Sequence, residues 1–94
     1  MRPASLAELG LMARVLTPLP TSDRPLAARQ ILAEVEVAAA HLRATGRCHP
    51  AFGDGSLMAR CLTLSPIAEP LAEDAAFLEA LTIACWALAD HSET

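Results

Sequence analysis

Residues 26–45 contain neither proline nor glycine, and they sit between Pro25 and Gly46. That boundary pair constrains the chain more than any other feature. Proline suits the first turn of a helix, where an amide has no partner to lose. Glycine readily takes the left-handed position that follows a helix. Ser22 or Asp23 can supply the cap. Within the stretch, Ile31, Val35, Ala38, Ala39 and Leu42 fall on one face at helical spacing, and Leu26, Ala33, Val37 and Ala40 form a second stripe on the opposite side. Glu34, Glu36, Arg29 and Arg43 lie between. The spacing predicts a helix over 25–45, the longest or joint longest in the chain, with neighbours on both sides.

Three further segments carry helical signals. Ser5 and Glu8 fit a capping box, with hydroxyl to the N3 amide and carboxylate back to the cap amide. Leu6, Leu9, Ala13 and Leu16 then share a face, which predicts a helix over 5–16 that "TPLP" ends. A short helix is expected over 57–64, with Leu57, Cys61 and Leu64 inward and Asp54 or Ser56 as cap; "SPIAEP" stops it. The last is expected over 71–90, with Phe77, Leu81, Ala84, Cys85 and Leu88 as its core face. Period-2 alternation bounded by hairpin turns is weak throughout. The reading is a single all-α domain over 1–94: a compact bundle of three to four helices with an ordered Gly/Pro-rich loop between the second and third.

Composition narrows the function classes. The chain has 94 residues, 53% apolar and 19% charged, with a net charge of −4. A domain this small has limited burial, so part of that apolar surface is expected to be covered by a partner or a second copy. All seven basic residues are arginines and they do not cluster, so nucleic-acid binding is not expected. No apolar run approaches the roughly 18 residues of a membrane span, so no membrane association is expected. Glu8 interrupts the place of a signal-peptide core, so the expected setting is cytoplasmic. Three cysteines cannot all pair internally, and in that compartment they read as thiols.

The stretch "GRCHPAFGDGSLMARC", residues 46–61, concentrates the polar chemistry. As a metal site it is poor: Cys48 and His49 are adjacent, Cys61 and His41 are distant, and no paired spacing supports ligation, so no metal and no cofactor are expected. As a thiol nucleophile, Cys48 or Cys61 would need His41 or His49 as base, but Cys61 has the spacing of a core residue. "GDGS" before a helix is like an anion-binding turn, but no Lys-Ser/Thr follows and Asp54 adds negative charge where a phosphate would sit. A purely structural account also covers the loop. Gly46 ends a helix, Phe52 plugs the loop into the core, and Gly53 to Ser56 turn the chain into the next helix with Asp54 as cap. What keeps a ligand-binding surface in view is the polar set Arg47, His49, Asp54 and Ser56.

The segment "GRCHPAFGDGSLM", with "MRPASLAEL" and "RPLAARQILAE", resembles a family of small alphaproteobacterial helical proteins of no established function. The family pattern is G-R-x-H-P-x-[FW]-G-D-G-S-L-M between two helices. The resemblance covers most of the chain. It implies a bacterial cytoplasmic setting and directs attention to Arg47, His49, Pro50, Gly53, Asp54, Gly55 and Ser56. It carries no mechanism over.

Two function classes follow. The leading expectation is a non-enzymatic protein–protein interaction module, binding another protein or itself. In the last helix Glu79, Ile83, Trp86 and Asp90 share the side opposite the core face. Ile83 and Trp86 between charges resemble the apolar centre and polar rim of an interface, so a homodimer with Trp86 at or near the contact is expected. The rival placement packs Trp86 inside the monomer, against Leu11 and Val15 of the first helix. The alternative function is a small-molecule or anion-binding domain, or a minor enzyme, built on Arg47, His49, Asp54 and Ser56. A third is an acidic regulator that docks on a basic protein.

Overall fold

The computed structural model describes residues 1–92. Its elements are α1 (Leu6–Leu16), a single 3-10 turn (Thr21–Asp23), α2 (Arg24–Thr45), α3 (Leu57–Leu62) and α4 (Ala75–Ser92). The fold is an all-α globule of four helices, without strands among the described residues. Helices α1 and α2 each pack on both α3 and α4.

Each helix starts and stops for local reasons. In α1 the capping box forms in full: Glu8 N donates to Ser5 Oγ at 3.1 Å and Ser5 N donates to Glu8 Oε1 at 3.0 Å. In α2 Asp23 occupies the cap position without a side-chain bond, because the 3-10 turn already leads the backbone in; Pro25 sits in the first turn. Gly46 ends α2 with φ of 70°, its N–H donating to the Leu42 carbonyl at 2.8 Å. Three boundaries differ from expectation by two residues or more, one being the end of α4 at Ser92 rather than 90. Helix α3 stops at Leu62 rather than 64. Helix α4 starts at Ala75 rather than 71, because Asp74 Oδ1 accepts the Phe77 amide at 3.0 Å and leaves Leu71 outside, 73% exposed.

The core gathers Met12, Leu16, Leu32, Val35, Leu57 and Cys61, all essentially inaccessible. Burying each larger apolar side chain contributes roughly 1.5–3 kcal/mol. The face of α1 is rotated from the expected one. Leu11, Met12, Ala13, Val15 and Leu16 are buried, while Leu6 is 87% exposed. The cause is that α1 must face α3 and α4 together, which draws Leu11 and Val15 into the core. On α4 the buried residues are Ala80, Ala84 and Ala87; Cys85, expected inward, is exposed. Alanines let the helices approach closely, and Phe77, Leu81, Ile83 and Leu88 flank the contact half-buried. The second stripe of α2 (Leu26, Ala33, Val37, Ala40), expected against a neighbour, is exposed. Leu42 also lies at the exposed edge of α2.

One buried cation ties the bundle together. Arg24 opens α2 and is 6% exposed. Its Nη2 donates to the Thr17 carbonyl at 2.7 Å, its Nε lies within reach of the Leu16 and Leu19 carbonyls, and its Nη1 reaches Glu79 of α4 at 3.1 Å. The Leu16, Thr17 and Leu19 carbonyls, at and just after the end of α1, thus share one side-chain donor. Arg14 does a similar service for the α3–α4 connection. Its Nε donates to the Ile67 carbonyl at 2.8 Å, and the Ile67 amide donates back to the Arg14 carbonyl at 3.2 Å.

Candidate functional site

Two places were marked by the sequence: the loop between α2 and α3, and the Trp86 side of α4. The loop is ordered by its own polar groups. His49 and Gly53 exchange backbone bonds at 2.8 and 3.1 Å and close a tight turn. The His49 Nδ1 accepts both the Ala51 and Phe52 amides at 3.0 Å, so its lone pair is spent on the turn. The imidazole stacks flat on Phe52, with centroids 4.6 Å apart and planes at 4°. The Arg60 guanidinium lies 4.8 Å from the Phe52 ring centroid. Arg60 is itself held by Glu34 at 2.9 Å and Thr63 at 3.0 Å. Phe52 is therefore half-buried between His49 and Arg60 and stands outside the core cluster; it does not plug into the core as expected. The His49 side chain, turned onto the loop surface by the His49–Gly53 closure, keeps the ring there.

The next residues build the start of α3. Gly55 has φ of 89°, and a Cβ placed on it would lie 2.8 Å from Ala39 Cα of α2. Only glycine allows the loop this close to the helix. Asp54 Oδ1 accepts the Ser56 amide at 2.9 Å, and hydrogen bonding from Ser56 holds the Asp54 carboxyl below its ordinary value. Ser56 is buried, and its Oγ accepts the Ala59 amide at 3.1 Å as the cap of α3. A further amide at this end is met from α1: Met58 N donates to Glu8 Oε2 at 2.9 Å. Glu8 is 5% exposed, and its carboxyl is held low first by the Ser5 amide and then by the Met58 amide, with Arg2 3.7 Å away. The positive end that "GDGS" offers to an anion is met by the protein's own carboxylate.

The structure thus brings Asp54 and Ser56 together at the start of α3, and His49 together with Phe52 and Arg60. Arg47 is exposed, engaged through its backbone with the Thr45 hydroxyl. His41 meets His49 edge-on at 5.1 Å. Cys61 is buried, and burial pushes its thiol up to about 12. Cys48 and Cys85 are exposed thiols. Among the described residues, no group of three or more His, Cys, Asp or Glu is placed to hold a metal ion. Among the described residues, no helix is long and apolar enough to cross a membrane.

The second place is a groove between the start of α2 and the second half of α4. Pro25, Arg29, Ile83, Trp86, Ala87, Ala89 and Asp90 line a cavity of about 410 Å³. Trp86 is 73% exposed, and Leu26 beside Pro25 is 70% exposed. The rival expectation, Trp86 packed against Leu11 and Val15, is overturned: those two residues belong to the core, and Trp86 stands on the far side of α4. A smaller groove of about 280 Å³ lies between α1, α2 and the end of α3, with Val15, Leu19, Ile31 and Leu64 as its apolar wall and the Glu34–Arg60 pair among its lining residues.

Sequence reading missed Arg24, the second bond of Glu8 and the Arg14–Ile67 tie. Glu8 was visible through its capping box, which accounts for one carboxylate oxygen only. Arg24 reads from the sequence as one more surface charge, since nothing local marks the carbonyls it will meet.

These features define a small all-α globule whose loop polar groups serve its own turns and caps, with one large aromatic left on the surface. The chain belongs to a family described as a domain of unknown function (DUF7742), matched over residues 2–88. No curated protein and no solved structure matches it.

Proposed function

We propose that this protein is a protein–protein interaction module that docks through the α2–α4 face. The observation that carries the reading is the exposure of Trp86, 73% accessible beside an apolar-lined groove. Tryptophan is enriched among residues that dominate binding energy, and contiguous exposed apolar surface marks interaction sites. Ile83 lines the same groove, and Arg29 and Asp90 supply charge around it. The resemblance to a bacterial family extends the proposal to a bacterial cytoplasm. The ligand-site alternative in the 46–56 loop has less support, because His49 Nδ1, Asp54 Oδ1, Ser56 Oγ and the Met58 amide all have partners within the chain.

The test is photo-crosslinking in cells from a benzophenone amino acid placed at position 86, with position 43 as an exposed control elsewhere on α2. A discrete crosslinked species is expected from 86 and not from 43. Equal or absent crosslinking at both positions would remove the docking role from this face.

A further inference from the structure

The groove contains both halves of a self-complementary contact. In a two-fold interface the same patch meets itself, so every projection needs a recess within its own patch and every charge needs its opposite there. Trp86 is the projection. The recess lies beside it, between Pro25 and Arg29 of α2 and Ala89 of α4. Of the four residues one turn from Trp86 along α4, Thr82 and Ala89 are exposed and small, and Ile83 and Asp90 line the groove.

The charges follow the same rule. Arg29 lines the groove from α2 and Asp90 lines it from α4. Each is exposed, and neither makes an ion pair or a side-chain hydrogen bond among the described residues. They differ in this from Arg14, Arg24 and Arg60, whose guanidinium groups are all engaged within the chain. A patch with one unspent cation, one unspent anion, one knob and one hole suits a copy of itself.

We infer that the occupant of the α2–α4 groove is a second copy of this chain, related by a two-fold axis, with Trp86 of each copy seated in the other's groove and Arg29 facing Asp90 of the partner subunit twice. This rests on the reading of that face as a docking surface and names its partner.

Sedimentation velocity on the purified chain tests it, with the emission of Trp86, the single tryptophan, as a local reporter. A dimer is expected at tens of micromolar, with emission moving to shorter wavelength as the dimer forms. Trp86→Glu is expected to give a monomer with unchanged helical circular dichroism. Arg29→Asp and Asp90→Arg each set like charges face to face and are expected to weaken the dimer at least about tenfold. The double variant Arg29→Asp/Asp90→Arg restores opposite charges and is expected to recover most of the affinity. A monomeric wild type at tens of micromolar overturns the second copy; if position 86 still crosslinks to a different protein in cells, the docking surface stands without it. A dimer that survives Trp86→Glu places the contact elsewhere and overturns the inference. Loss in both single charge variants without recovery in the double variant overturns the two-fold pairing of Arg29 with Asp90.

Discussion

The Glu8 carboxylate accepts the Met58 amide at 2.9 Å across 50 positions of sequence, while its other oxygen accepts the Ser5 amide at 3.0 Å. One buried acid therefore caps two helices. Hydrogen bonds to a charged group contribute about 1.5–3 kcal/mol each. Glu8→Ala is expected to destabilise by about 3 kcal/mol, measured by urea unfolding at neutral pH. The pH dependence has a defined sign. Hydrogen bonds in the folded state lower the Glu8 pKa below its ordinary value of 4.5, so its contribution is present above that value and lost as pH falls through the folded pKa. Wild type is expected to lose more stability than Glu8→Gln between neutral pH and acid. Parallel acid profiles for the two would refute the linkage.

Gly55 and Gly10 make an opposed pair. At Gly55 a Cβ would meet Ala39 Cα at 2.8 Å and must also accept φ of 89°, whereas at Gly10, inside α1, nothing lies within 4 Å. Gly10→Ala is expected to stabilise by about 0.4–1 kcal/mol, since alanine favours the helix and restricts the unfolded chain. Gly55→Ala is expected to destabilise by about 3 kcal/mol, combining left-handed strain with overpacking. Melting temperatures moving in the same direction in both variants would contradict this geometry.

Arg24 and Glu79 test which partner of a buried cation matters. The carboxylate of Glu79 is 48% exposed, whereas the Arg24 side chain is 7% exposed and also serves three carbonyls. Arg24→Ala is expected to destabilise by about 3 kcal/mol, because three carbonyls lose a charged donor. Glu79→Ala is expected to change stability by under about 1 kcal/mol, as for a surface pair. Equal losses would mean that the ion pair to α4, and not the clamp on the carbonyls after α1, carries the contribution of Arg24.

The thiols should separate by burial. Cys61 is enclosed and its pKa pushed up to about 12, while Cys48 and Cys85 are exposed. Only the thiolate reacts appreciably. A chromogenic disulfide reagent at pH 8 is expected to modify Cys48 and Cys85 rapidly, and Cys61 only in denaturant. Rapid modification of all three would require Cys61 to be reachable from solvent.

Local signals carried much of the helix pattern. Ser5 with Glu8, Pro25 with Gly46, and Ser56 before Leu57 mark helix ends through bonds that close within a few residues, so they need no tertiary partner to be read. Asp74 carried the same kind of signal at the start of α4, and the apolar pattern over 71–90 obscured it. Leu71 continues that pattern yet is exposed, because a side-chain cap at Asp74 sets the boundary.

Faces were harder to read than ends. Leu6 and Leu11 fit alternative stripes on one short helix, and periodicity does not choose between them. Contact with both α3 and α4 chose Leu11. The candidate loop divided in the same way. Gly53, Asp54, Gly55 and Ser56 were legible as a turn into a helix. His49 was legible as a polar residue of interest, but its use as the acceptor of two amides depends on how Pro50 and Ala51 fold back beneath it.

The sequence by itself determined that this chain is helical, where most of its helices begin and end, and that its loop between α2 and α3 is an ordered turn. Those outcomes depend on caps, glycine conformations and proline, which act over a few residues. Only the tertiary structure decided that Glu8 caps α3, that Arg24 is buried at the end of α1, and that Trp86 stands in solvent while Leu11 and Val15 fill the core. Each of these joins groups far apart in sequence, and distance in the chain says nothing about which carbonyl, amide or apolar face will be left without water once the helices pack.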